Sequence, residues 1–202
     1  MERAIILNTG RETSFSWQGD ALKLATSSTE FEQKDADGKK SLRSSVYLWD
    51  VSASKSKDPK QSFIVQDPKL LFVAFGFTLE PKNVSLAPDG KRLAFEVWRL
   101  KGEGSRELRG IIVMDTSISV PVGVQTAEQS DKFPITLPVI DGGKPQMPRW
   151  SPDGSRLLYE VAKSNGTRDL WIVNADGTNP LNLTKNLEGD KSEAAWAPMN
   201  TP

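Results

Sequence analysis

Two copies of one turn-and-strand pattern constrain the possible folds of this chain more than any other feature. "RWSPDGSRLLYEV" runs from Arg149 to Val161, and "SLAPDGKRLAFEV" runs from Ser85 to Val97. In each copy Pro presets the first central turn position, and Gly supplies the positive φ that closes a tight hairpin. Both places are therefore predicted to hold a short strand, a turn and a second strand. The predicted turn residues are Pro88, Asp89, Gly90, Pro152, Asp153 and Gly154.

Weaker copies lie towards both ends of the chain. "FSWQGDALKLAT" aligns Trp17 with Trp150 and Asp20 with the turn aspartates, and "EAAWAPMNTP" aligns Trp196. The aligned anchor positions 17, 86, 150 and 196 are separated by 69, 64 and 46 residues, and the shortest spacing is close to the roughly 40–45 residues of one propeller blade. The three tryptophans, with Leu86 in the same position, are predicted to pack between neighbouring units, and the recurring aspartates to serve the turns.

Each turn is followed by further apolar runs that indicate four strands per unit. "VYLWD", "IIVMD" and "LWIVN" each stop at Asp or Asn, and "NPLNLT" is the clearest fourth run. The third-strand runs do not alternate apolar and polar residues, so we expect both of their faces to be covered. The sequence predicts an all-β fold, a β-propeller segment of about three four-stranded antiparallel blades with flanking strands, ordered outward from the axis.

The predicted organisation is one domain over residues 1–202. Blades are expected over about 11–67, 81–140 and 145–185, and 186–202 would start a further blade or form a tail. "RAIILN" (Arg3–Asn8) is predicted to be an unpaired strand. The polar stretch Ser27–Ser45 is predicted to be a loop insertion that offers spare surface.

"RWSPDGSRLLYEVAKSNGTRDLWIVNADGTNPLNLT" resembles the TolB-type, WD-like propeller repeat, and the resemblance weakens towards the first unit. It implies a propeller that acts mainly as a binding platform, often outside the cytoplasm. The family also occurs as the substrate-gating propeller of prolyl-oligopeptidase-like serine peptidases. Families of this kind often have six or seven blades, whereas this sequence has three units.

The residue types and motifs that this sequence lacks exclude several kinds of chemistry. The chain has no Cys and no His, which removes Cys nucleophiles, His bases and zinc sites built on either residue. It also lacks the G-x-S-x-G elbow of the related peptidases. Asp35-Ala36-Asp37-Gly38 is similar to the start of a calcium loop, but the twelfth position falls on Val46, so a hairpin tip is favoured. We therefore expect no catalytic residue, metal or cofactor.

Charge and hydropathy limit the partners. Lys plus Arg balance Asp plus Glu at 26 each, without the basic excess that nucleic-acid binding uses. The longest apolar run, Leu70–Phe77, is too short to span a bilayer, and the start lacks a signal-peptide core. The chain is expected to be soluble, and its compartment is indicated only by the resemblance, which favours the periplasm.

One set of charged residues is a candidate partner-binding rim. The residues six positions before each anchor are expected in loops around the channel mouth, and they alternate in sign: Arg11, Glu80, Lys144 and Asp190. Complementary charge of this kind suits a protein or peptide. The alternative, that these residues are polar only because loops are exposed, stays open.

The sequence favours a non-catalytic interaction or scaffold module that works as a subunit of a larger assembly. A three-blade arc leaves a broad apolar face at each end, so a protein partner or self-association is expected to cover those faces. Two alternatives remain: the gating propeller of a peptidase whose catalytic domain is elsewhere, and a propeller that binds a small ligand.

Overall fold

The computed structural model describes residues 5–7, 12–17, 23–34, 40–50, 63–65, 68–75, 79–101, 105–117, 136–137, 140 and 143–197. The strands, numbered in chain order, are β1 (Ile5–Leu7), β2 (Glu12–Trp17), β3 (Lys23–Lys34), β4 (Lys40–Asp50), β5 (Phe63–Val65), β6 (Lys69–Phe75), β7 (Leu79–Leu86), β8 (Arg92–Leu100), β9 (Arg106–Asp115), β10 (Lys144–Trp150), β11 (Arg156–Ala162), β12 (Arg168–Asn174) and β13 (Leu181–Asn182).

Three antiparallel sheets follow one another along the chain, and we call them blades. Blade 1 has the strand order β2-β3-β4-β6, blade 2 has β7-β8-β9, and blade 3 has β10-β11-β12-β13. In blade 2 the place beside β9 is held by Leu137, which bridges to Ile111. The first strands meet, since β7 contacts β2 on one side and β10 on the other. This arrangement confirms the predicted partial propeller.

The repeated turn forms in the same way in blades 2 and 3. Gly90 has a φ of 66° and Gly154 a φ of 69°, a region that side chains other than Gly rarely enter. The turn aspartates cap the turn, with Asp89 accepting from the Lys91 N–H at 2.9 Å and Asp153 from the Ser155 N–H at 3.0 Å. The recurrence of Asp is thus explained by turn chemistry. Asp20 lies outside the described residues.

The turns place the anchors in one register. Leu86 pairs with Leu93 in blade 2, Trp150 with Leu157 in blade 3, and Trp17 with Leu24 in blade 1. The blades then bury their broad faces against each other. One apolar cluster joins blades 1 and 2 and includes Phe72 and Phe95 at 5.4 Å between ring centroids. A second cluster, which includes Trp150, joins blades 2 and 3.

Several expectations are corrected by the structure. β1 is not unpaired, because Ile5–Leu7 forms a parallel ladder with β5. The described parts of the Ser27–Ser45 stretch do not form the expected loop. β3 and β4 extend into it as a long hairpin, and its serines at both ends are buried. The fourth strand of blade 1 runs to Phe75, beyond the blade end expected at residue 67.

Burial of the third strands also differs from expectation. In β4 the run Val46–Trp49 is largely buried, as predicted for a strand covered on both faces. In β12 only Asp169 and Val173 are buried, because no further sheet among the described residues covers the second face of blade 3. Trp17 is 41% exposed and not packed between blades. An anchor packs against the preceding blade, and the described residues form no blade before blade 1.

Candidate functional site: charged strand starts and blade junctions

Two of the predicted rim residues, Glu80 and Lys144, lie at the starts of first strands rather than in the loops before them. Glu80 is the second residue of β7 and is only 3% exposed. Its carboxylate lies 3.2 Å from the Arg106 Nε and 3.4 Å from the Lys82 Nζ. Burial of an acid requires such compensation. Glu80 therefore has its charge matched within blade 2 and presents little of itself to a partner.

The other rim residues have different surroundings. Lys144 begins β10 and is partly buried. The hydrogen bond from Lys101 lowers the pKa of Glu107, and the nearby charge of Lys144 makes a smaller contribution in the same direction. Asp190 is exposed and accepts from the Arg168 side chain, with 2.6 Å between Oδ2 and the nearer guanidinium nitrogen. Arg11 lies outside the described residues. Glu80 and Lys144 thus both lie near the start of β9, whereas Asp190 is held against blade 3. A partner-binding role for these residues stays a prediction.

Two exposed aspartates are expected to titrate near pH 2. Hydrogen bonds from the Arg168 side chain lower the pKa of Asp190, and those from Ser151 and Ser155 lower the pKa of Asp153, in each case from 3.8 to about 2. A lowered pKa contributes stability above the unfolded value, and this contribution is lost as the pH falls from about 3.8 through about 2. NMR titration of the two carboxyl chemical shifts should give midpoints near pH 2. Midpoints near pH 3.8 would contradict the hydrogen bonds to Asp153 and Asp190.

A buried glutamate joins blades 2 and 3. Glu96, in the middle of β8, is 1% exposed. Its Oε1 accepts from the Met147 backbone N–H of blade 3 and from the Asn83 amide, both at 2.7 Å. Its Oε2 accepts from the Trp98 indole N–H at 2.7 Å. Met147 has a φ of 55°, at a bulge of β10 that points its N–H towards the carboxylate.

The next junction repeats this contact. Glu160 lies in β11 at the position that Glu96 has in β8, and its Oε1 accepts from the Glu193 N–H at 2.8 Å. Glu193 has a φ of 58° and lies three residues before Trp196, as Met147 lies three residues before Trp150. Residues 191–197, which we call the C-terminal segment, therefore occupy the place of a further first strand beside blade 3.

The anchor tryptophans bind the preceding unit through their indole N–H groups. Trp150 donates to the Ser85 carbonyl at 2.9 Å, and Trp196 donates to the Arg149 carbonyl at 3.0 Å. Each acceptor is the residue just before the previous anchor. At the first junction the Leu86 N–H donates instead to the Ser16 hydroxyl at 3.0 Å. At all three junctions, therefore, an anchor residue donates a hydrogen bond to the residue just before the previous anchor.

An arginine completes the junction between blades 2 and 3. Arg92 donates to the Gly154 carbonyl at 2.6 Å, and its guanidinium carbon lies 4.8 Å from the centre of the Trp150 ring. Arg156 has the same position in blade 3, two residues after the turn glycine. Its side chain is exposed and makes no hydrogen bond or ion pair with the described residues.

The sequence did not single out the two buried glutamates. The signal was present, because "AFEV" and "LYEV" both place Glu inside an otherwise apolar strand after the turn. Burial raises the pKa of Tyr159, next to Glu160, to about 12, so this phenol stays neutral. In the described parts of the chain no three acidic side chains group as metal ligands, and no helix is long and apolar enough to span a membrane.

The meander sheets, their adjoining first strands and the repeated junctions define a partial β-propeller. The chain is 29% identical over 79 residues to the Tol-Pal system protein TolB of Zymomonas mobilis subsp. mobilis, a match of 39% of this chain and 16% of that protein. It thus spans a small part of the curated relative. No family model matches the chain.

Two solved structures align with most of this chain at low sequence identity. A putative TolB from Agrobacterium tumefaciens aligns with 91% of this chain and 51% of its own, at 20% identity and a TM-score of 0.49. A structure from a study of two prolyl endopeptidases aligns with 88% of this chain and 22% of its own, at 14% identity and a TM-score of 0.45. Both TM-scores are below 0.5, and the propeller architecture of this chain rests on its strand order and on the contacts between its first strands.

Proposed function

We propose that this chain is a non-catalytic protein-interaction module that docks into a larger assembly. The observation that carries the proposal is the exposure of large apolar side chains at both ends of the arc. Phe15 is 70% exposed beside Trp17 on β2, and Leu181 and Leu183 are 56% and 49% exposed at the edge of blade 3. Exposed apolar groups of this kind are typical of protein-binding surfaces.

The buried acids support a structural use of charge. Glu80 forms ion pairs with Arg106 and Lys82, and Glu96 and Glu160 each accept a hydrogen bond from a backbone N–H of the next unit. This leaves the blade surfaces to make contacts rather than reactions. The matched relative is a Tol-Pal system protein, and the TolB-type resemblance of the repeats favours the periplasm. On these two grounds we extend the proposal to a subunit of a periplasmic assembly.

Light scattering and binding of a hydrophobic dye test this function. We expect the chain at micromolar concentration to self-associate or to bind the dye. Phe15→Ser and Leu183→Ser should each reduce that signal, because each removes exposed apolar area without touching the core. A folded monomer that binds no dye would contradict the interaction role. Hydrolysis of any member of a panel of peptide and ester substrates would contradict the non-catalytic role.

A further inference from the structure

The face of blade 3 that is turned towards blade 2 carries polar side chains among apolar ones. Tyr159 and Val161 of β11 pack on this face in one cluster with Ile111 of blade 2. Trp171 lies opposite Tyr159, and Asp169 lies opposite Val161. Directly opposite residues of an antiparallel pair share one face of the sheet. A carboxylate and an indole are therefore both turned into the junction between the two blades.

Asp169 is a buried carboxylate with one oxygen left to accept a hydrogen bond. It is 5% exposed. The Lys163 Nζ lies 2.8 Å from its Oδ2, and the Asn182 amide donates to the same oxygen at 2.9 Å. Burial raises the pKa of Asp169, but the hydrogen bonds from Lys163 and Asn182 outweigh this and hold the pKa below its ordinary value. The Oδ1 atom is also buried, and it accepts no hydrogen bond from the described residues.

Trp171 supplies a donor next to this acceptor, two residues further along β12. Its indole N–H is buried and has no acceptor among the described residues, although buried indole N–H groups usually find a partner. The hydroxyl of Tyr159, whose ring centre lies 6.5 Å from that of Trp171, has no partner there either. Nearly all buried polar groups in native proteins are hydrogen-bonded. Unused donors and an unused acceptor on one sheet face therefore indicate a place for a polar ligand.

The two side chains line an open cleft of about 460 Å³ between the blades. Asp169, Trp171 and Asn182 lie on one side, and Ile140 and Gly143, which precede β10, lie on the other. Ile140 and Gly143 exchange two backbone hydrogen bonds, at 2.7 and 3.0 Å, which hold this second wall together. A concave, largely apolar surface with a few convergent polar groups is typical of small-molecule sites. The cleft lies inside the arc, between two blades that the structure describes.

We propose that the cleft lined by Asp169, Trp171 and Asn182 binds a small polyhydroxylated ligand of the saccharide class. A hydroxyl group both donates and accepts hydrogen bonds, so neighbouring hydroxyls can donate to the Asp169 Oδ1 and accept from the Trp171 indole. The C–H groups of a sugar ring then cover the apolar wall. A cationic ligand is less suited, because Lys163 already matches the charge of Asp169. The inference goes beyond the interaction role, and neither needs the other.

NMR titration of the isotope-labelled full chain with methyl glycosides of glucose, galactose, mannose and N-acetylglucosamine tests the site. We expect at least one of the four, at millimolar concentration, to shift the Trp171 indole and Asn182 amide signals saturably. The Trp98 indole already donates to Glu96, so its signal should not move. Tetrahydropyran-2-methanol keeps the ring but has a single hydroxyl, and it should shift none of these signals.

Two variants separate binding from folding. Trp171→Phe keeps an aromatic ring and removes an N–H that bonds to no described residue, so the chain should stay folded. Its affinity, measured from the Asn182 signals, should fall about three- to tenfold, the effect of one hydrogen bond. Asp169→Asn replaces the charged acceptor and should weaken binding roughly tenfold or more. Asp176→Asn is the matched control: it makes the same change in an exposed turn of blade 3, where Asp176 accepts from the Thr178 N–H, and it should bind like the parent.

The inference is overturned if none of the four glycosides shifts the Trp171 indole signal, or if tetrahydropyran-2-methanol shifts it equally. An affinity that is unchanged in both Trp171→Phe and Asp169→Asn overturns it as well, and so does an equal loss in Asp176→Asn. If Asp169→Asn does not fold because Lys163 has lost its partner, the result for Trp171→Phe decides alone. The interaction role is measured separately, by association and dye binding, and stands or falls independently of these outcomes.

Discussion

Replacing Glu96 by Ala should lower the free energy of unfolding by about 3 kcal/mol or more, because a buried donor left without an acceptor costs about 1–3 kcal/mol. Three donors lose their acceptor at once: the Met147 N–H, the Asn83 amide and the Trp98 indole. Two of them come from blade 2 and one from blade 3, so the change loosens the junction as well as the sheet. Urea denaturation followed by tryptophan fluorescence measures the effect.

Two companion variants separate the hydrogen bonds from general damage. Glu96→Gln keeps one acceptor oxygen but turns an NH₂ group towards a donor, so we expect an intermediate loss of about 1–2 kcal/mol. Glu107→Ala, on the neighbouring strand, removes a partly exposed pair with Lys101 at 2.9 Å, and such pairs contribute at most about 1 kcal/mol. Equal losses for Glu96→Ala and Glu107→Ala would contradict the proposed role of Glu96 at the junction.

Replacing Trp150 by Ala should cost about 3–5 kcal/mol, the usual loss for a buried large aromatic. Trp150 is 7% exposed, stacks under Arg92 and binds the Ser85 carbonyl. Trp196 makes the equivalent indole bond to Arg149 but is only half-buried, so Trp196→Ala should cost about 1–2 kcal/mol. Thermal unfolding of the two variants side by side compares one contact at two levels of burial. If Trp196→Ala lost more stability than Trp150→Ala, the claim that both tryptophans make the same contact at different burial would be contradicted.

Much of the fold was predictable because the turn is a local feature. The Pro-Asp-Gly sequence sets the hairpin, and the hairpin sets the register that pairs Trp150 with Leu157 and Leu86 with Leu93. Where the connections are short, as between β10, β11 and β12, the strand order then follows from them. The anchors were found for the same reason, since they lie directly before the turn.

The site was less predictable because its contacts are distant in sequence. Glu96 binds Met147, 51 residues away, and nothing near Glu96 in the sequence shows that a bulge of β10 will present an N–H there. Glu80 was expected in an exposed loop, but β7 begins at Leu79 and places it in the strand, where Arg106 compensates its charge. Trp17 was expected to pack like Trp150, but the packing depends on a preceding blade.

The central claim is that one junction repeats along the arc, and NMR on the isotope-labelled chain tests it directly. The Trp150 indole proton should show nuclear Overhauser contacts to the backbone of Ser85 and Leu86, and the Trp196 indole proton should show them to Arg149 and Trp150. Both contacts join residues of neighbouring units. If the strand pairings within each sheet appear in the same spectra while both indole contacts are missing, the sheets form without stacking as propeller blades, and the account is contradicted.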